Sequence, residues 1–122
     1  MSINNRDHAF IRYAETTSTV SISSGSLTLN LNNGNIFLVS LNANVTSITI
    51  SNVNSGDNIA QSFSIVFTAD GTQRIVSWPA SVKWPGGTGP TLTSTNAKKD
   101  VYHFTTVDKG VTWLAFVAGK NF

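Results

Sequence analysis

The chain has 122 residues, no Cys, a net charge of +2 and only 11% charged residues. That length suits one domain, and the lack of Cys excludes disulfides and thiolate metal sites. The basic residues are scattered, with no run longer than Lys98–Lys99, so the basic face interleaved with aromatics that a nucleic-acid surface needs is missing.

No stretch approaches the length of an apolar membrane span. The opening Met1-Ser-Ile-Asn-Asn-Arg-Asp-His8 lacks the hydrophobic core of a signal peptide, so standard secretion is not expected. In residues 1–18, Ile3, Phe10, Ile11 and Tyr13 sit among charges that cancel. This segment reads as an extended N-terminal docking arm, with Phe10, Ile11, Arg12 and Tyr13 as its contact residues.

From residue 19 onward period-two alternation replaces any helical pattern. Leu27, Leu29 and Leu31 alternate with polar residues; runs at 35–41 and 45–50 follow, separated by Asn32-Asn-Gly34 and Asn42-Ala-Asn44. Those breaks have hairpin length. After a loop at 52–58, residues 62–68 lead through Asp70-Gly71 into 73–78, and Asp-Gly between two such runs is a strong hairpin signal. Residues 100–107 and 112–117 form a last pair across Asp108-Lys-Gly110. The spacing predicts an all-β, antiparallel, jelly-roll-like β-sandwich spanning 19–122 as a single domain.

Residues 78–90 hold all three prolines, two of the three tryptophans and a Gly-rich tip. Proline excludes them from a central strand, so they predict a long ordered loop over one end of the domain. The last two strands are apolar at both parities, and one face of such a strand is left for a neighbour. Trp84, Tyr102, His103 and Trp113 are the candidate oligomer-interface residues. The tryptophans fit core, interface or a glycan-contacting platform, burial being their ordinary role.

Catalytic parts are lacking. His103 with Asp100 or Asp108 and a serine could form a triad on paper, but no nucleophile elbow accompanies it. Asp57 with Asn52, Asn54 and Asn58 is the nearest approach to a calcium loop, and turn-forming Asx residues explain the same letters. The expectation is a protein that is not an enzyme, with no catalytic residues, no metal and no cofactor.

Several blocks resemble a module of bacteriophage virion proteins, particularly from phages of cyanobacteria and other aquatic bacteria. They are Leu27-Thr-Leu-Asn-Leu-Asn-Asn-Gly-Asn-Ile-Phe37, Phe67-Thr-Ala-Asp-Gly-Thr72, Trp78-Pro-Ala-Ser-Val-Lys-Trp-Pro-Gly-Gly-Thr88, Pro90-Thr-Leu-Thr-Ser94, Phe104-Thr-Thr-Val-Asp-Lys-Gly-Val-Thr-Trp113 and Phe116-Val-Ala-Gly-Lys-Asn-Phe122. The Trp-Pro-Ala-Ser-Val-Lys-Trp block is the most specific. The resemblance implies binding and assembly, in tail fibres or small virion structural proteins. One module with an arm and no heptad or triple-helix shaft points to a capsid decoration (cement) protein. It would form a homotrimer on the major capsid protein at the capsid's outer surface, after assembly in the host cytoplasm, with no nucleic-acid or membrane partner. A tail or tail-fibre component that binds surface glycans is the alternative.

Overall fold

The computed structural model describes residues 9–122. Residues 9–16 carry no regular structure, and the first eight residues of the expected arm, His8 among them, lie outside the described residues. The chain is all β, with strands β1 (Thr17–Val20), β2 (Ser26–Asn30), β3 (Ile36–Leu41), β4 (Ser47–Ser51), β5 (Gln61–Ala69), β6 (Val82–Lys83), β7 (Lys99–Thr106) and β8 (Trp113–Gly119). A single 3-10 turn at Pro85–Gly87 completes the regular elements among the described residues.

Pairing departs from the antiparallel expectation. A six-stranded sheet runs β1-β3-β5-β7-β8-β6, and a separate two-stranded sheet holds β2 and β4. The pairs β1/β3, β3/β5, β2/β4 and β6/β8 are parallel; only β5/β7 and β7/β8 are antiparallel. The first five strands therefore wind as a coil, each passing to the sheet its predecessor did not join.

The short breaks at 32–34 and 42–44 are arches between sheets, not hairpins. Parallel neighbours need a crossover, and here a strand of the other sheet supplies it. Gly34 makes the first arch possible. Its φ is +154°, and a Cβ there would lie 2.6 Å from the Thr16 carbonyl oxygen, well inside contact distance.

The Asp70-Gly71 turn also fails to make a hairpin. Asp70 accepts from Thr72 N (3.2 Å) and pairs with Arg74 (2.6 Å), bending the chain away from β5. Val76 then joins Val45 as a parallel bridge on the side of the second sheet. The β7–β8 hairpin forms as the spacing predicts. Asp108 Oδ1 accepts from Thr106 Oγ1 and Thr112 N, both at 2.9 Å, and Gly110 N donates to Thr106 Oγ1.

One core joins both sheets. Leu27 and Leu29 of β2 and Val45 pack with Phe37, Val39, Phe63, Ile65, Phe67, Tyr102, Phe104 and Trp113 of the large sheet. The Phe63 and Phe104 rings stack at 4.7 Å, and Trp113 meets Phe63 edge-on at 4.9 Å. The 78–90 segment extends this cover. Trp78 and Trp84 meet each other at 5.1 Å and reach Tyr102 and Phe104. Offset and edge-on pairs of this kind add about 0.5–1.5 kcal/mol each beyond burial.

Buried polarity is concentrated at Asp100. Its carboxylate accepts from Thr93 N (2.8 Å), Tyr102 Oη–H (2.8 Å) and Asn121 N (3.0 Å). It thereby ties the 91–93 segment and the C-terminal residues to β7. Burial alone would raise this pKa, but the hydrogen bonds from Thr93, Asn121 and Tyr102 outweigh it and the net shift is downward. Burial, with the adjacent carboxylate, pushes the Tyr102 hydroxyl well up, so it remains a donor.

Candidate functional site

Because side chains alternate along a strand, the six-stranded sheet has an outer face opposite the core. Cross-strand register assembles that face row by row. Ile36, Ser64, His103 and Phe116 form one row, and Leu38, Val66 and Val101 the next. Ser62, Thr105, Leu114 and Lys83 form a third. Lys83, at the sheet's edge, is the only charge in the three rows. Leu38, Leu114 and Phe116 stand 36%, 48% and 45% exposed, and no described element packs over them.

Polar positions on this face bond to one another. Ser62 Oγ lies 2.8 Å from Thr105 Oγ1, and Ser64 Oγ lies 2.8 Å from His103 Nδ1. The His103 ring also stacks at a tilt on Phe116, 5.2 Å away. The result is a pre-ordered patch of alternating apolar and hydroxyl groups. It suits a surface that buries area against a partner without steering it by charge.

Tyr102 and Trp113 cannot belong to an oligomer interface. They are 0% and 1% exposed within one chain, at the inward parity of β7 and β8. Of the four residues expected at an interface, these two lie on the inward side of their strands. His103 does face outward, half-buried. Its neighbour Phe116 and the nearby Leu114 were the residues sequence reasoning passed over. Both alternate with Trp113 and Ala115, and nothing in the alternation says which parity turns inward.

Trp84 is half-buried on the core side of the sheet, packed against Trp78, Tyr102 and Phe104. Its Nε1 is enclosed without a hydrogen-bond partner among the described residues, and a Cβ on Gly89 would stand 3.4 Å from it. A shallow cleft of about 480 Å³ opens beside it, lined by Trp78, Pro79, Trp84 and Gly89 among others. In the expected arm, Phe10, Ile11, Arg12 and Tyr13 are all exposed.

His103 and Ser64 are within hydrogen-bond distance, but the carboxylates weighed for a triad go elsewhere. Asp100 projects to the opposite face of β7 and is tied as described above; Asp108 is tied into its hairpin turn. In the 52–58 loop, Lys109 pairs with Asp57 at 2.6 Å. Asn54 Oδ1 accepts from Gly56 N, and Asn52 Nδ2 donates to Asn30. These are turn-stabilising roles. Among the described residues no group of three His, Cys, Asp or Glu side chains could hold a metal ion, and no helix is long and apolar enough to cross a membrane. Comparison of the chain with family models, with curated proteins and with solved structures gives no match.

Proposed function

We propose that this protein is a non-enzymatic bacteriophage virion component, a capsid decoration (cement) protein that seats its outer sheet face on the major capsid protein. In this reading the two sheets and the Trp-Pro segment make a jelly-roll-like sandwich whose second face is the working surface. The observation that carries it is the outer face itself, registered rows whose charges, Lys83 and Lys99, lie at the rim around half-exposed Leu38, Leu114 and Phe116. Burying each of these the rest of the way would contribute about 1 kcal/mol or more. The exposed Ile11 and Tyr13 give the arm apolar surface for the same shell.

The cleft beside Trp78 and Trp84 favours a second reading, a tail or tail-fibre component that stacks a surface glycan on an indole face. Purified virions separate the two. A decoration protein is present in a number that scales with capsomers and rebinds shells stripped of it. A tail protein scales with tails, and host polysaccharide would protect Trp84 fluorescence from quenching. A copy number tied to tails, with no binding to stripped shells, would sink the capsid assignment.

A further inference from the structure

The two ends of the large sheet are finished differently. At one end β6 is two residues long, flanked by Pro79 and Pro85 and carrying Lys83, the devices that blunt an edge strand against further pairing. At the other end β1, Thr-Ser-Thr-Val, has no charge, no proline and no bulge.

Its outward groups can be identified by alternation. The Thr16 carbonyl accepts from Ile36 N at 3.2 Å, so residues 16, 18 and 20 direct their backbone groups to β3. Thr17 and Thr19 direct theirs away. Among the described residues nothing bonds to those N–H and C=O groups.

The second sheet ends on the same side, because β2 lies one step along the coil from β1. Its edge is mostly closed. Ser23 takes both backbone groups of Ser26 (2.9 and 2.8 Å), and Asn33 N donates to Asn30 O (2.9 Å), leaving Thr28 open. In the large sheet, then, the unprotected edge is β1.

We propose that β1 is a homodimerisation edge, pairing antiparallel with β1 of a second copy about a two-fold axis normal to the sheet through Ser18. Under that axis Thr17 faces the second copy's Thr19, and Thr19 faces its Thr17. Each such pair exchanges two hydrogen bonds, so all the outward groups are satisfied at once. The axis preserves the faces of the sheet, so the two cores lie on the same side and the outer faces join into one continuous surface.

The edge selects a second copy over an unrelated strand on three grounds. It is self-complementary in register, it carries no charge to recognise a charged partner, and it aligns threonines across the junction, a favourable cross-strand pair. A two-fold contact of this kind differs from the trimer implied by the family resemblance. It does not rest on the capsid reading, since it uses an edge and leaves the outer face free.

The cysteine-free chain makes the register directly testable. Ser18→Cys in the full chain, oxidised with diamide, should give a covalent dimer as its main product. Directly opposed residues in a non-hydrogen-bonded pair lie about 4.5 Å apart at Cα, within disulfide range. Thr17→Cys and Thr19→Cys each face a threonine and should cross-link far less. In sedimentation equilibrium the unmodified chain should dimerise. Thr19→Pro removes an outward N–H without touching the β1/β3 ladder, and should weaken association roughly tenfold or more. The melting temperature of dilute Thr19→Pro should match that of the parent, and Phe116→Lys should leave the dimer intact. A chain that stays monomeric, a trimer indifferent to Thr19→Pro, or equal cross-linking at all three positions would overturn the proposal.

Discussion

The two faces of the six-stranded sheet are built from the same strands and differ in what covers them. On the inner face Phe37, Phe63, Phe67, Tyr102, Phe104 and Trp113 are all closed off by the β2/β4 sheet and the Trp-Pro segment. On the outer face Leu38, Leu114 and Phe116 alternate with Ser, Thr and His and remain about half open. Large apolar side chains on a strand therefore mark two different jobs, and register rather than hydrophobicity separates them. Inner residues hold the fold; outer ones are free to be spent on a partner.

Substitutions that split the faces should split stability from binding. Phe63 contacts Phe37, Phe104 and Trp113 at ring distances of 5.7, 4.7 and 4.9 Å. Phe63→Ala should cost about 3–5 kcal/mol in denaturant unfolding, the largest effect of the set. A loss under about 1 kcal/mol would mean the inner face is not the core.

Next comes Asp100→Ala, which strands Thr93 N, Asn121 N and the Tyr102 hydroxyl. About 2–4 kcal/mol should be lost. The pH dependence has a definite sign. Asp100 has a folded pKa below its ordinary value, so its ionisation contributes stability that is fully present above about pH 4 and lost as pH falls through the folded pKa. Asp100→Asn should flatten that acid limb of the stability curve. A melting temperature as acid-sensitive as the parent's would assign the limb to other carboxylates.

Phe116→Lys tests the outer face. At a half-exposed position it should change folding stability by no more than about 0.5–1 kcal/mol, while abolishing attachment to stripped shells. Unchanged attachment would move docking away from this surface.

The smallest effect on stability is expected from deleting residues 1–14. Ile11 is fully exposed and Tyr13 nearly so, so the melting temperature should stay close to that of the full chain while attachment to particles falls. Global unfolding on deletion would instead make the arm integral to the domain.

Alternation alone makes β2, β3, β4, β5, β7 and β8 legible in the sequence, along with the β7–β8 hairpin. Pairing is not legible there. A period of two is the same for parallel and antiparallel neighbours, and a three-residue Asn-Gly break fits a hairpin or an arch equally well. The 73–78 run has the pattern of a strand, yet contributes only the Val76 bridge to Val45. Strand β6 escapes notice because two residues between prolines have no local signal; β8 alone makes it a strand.

By itself, then, the sequence determined that the protein is all β, where most strands lie, and that its last two strands offer apolar groups to both sides. Tertiary structure alone decided that the first five strands coil between two sheets, and that Tyr102 and Trp113 turn inward while His103, Leu114 and Phe116 turn out. The physical reason is that alternation sets only the relative parity of neighbouring side chains. Which parity is buried depends on where the second sheet and the Trp-Pro segment come to rest, and those contacts join residues far apart in the chain.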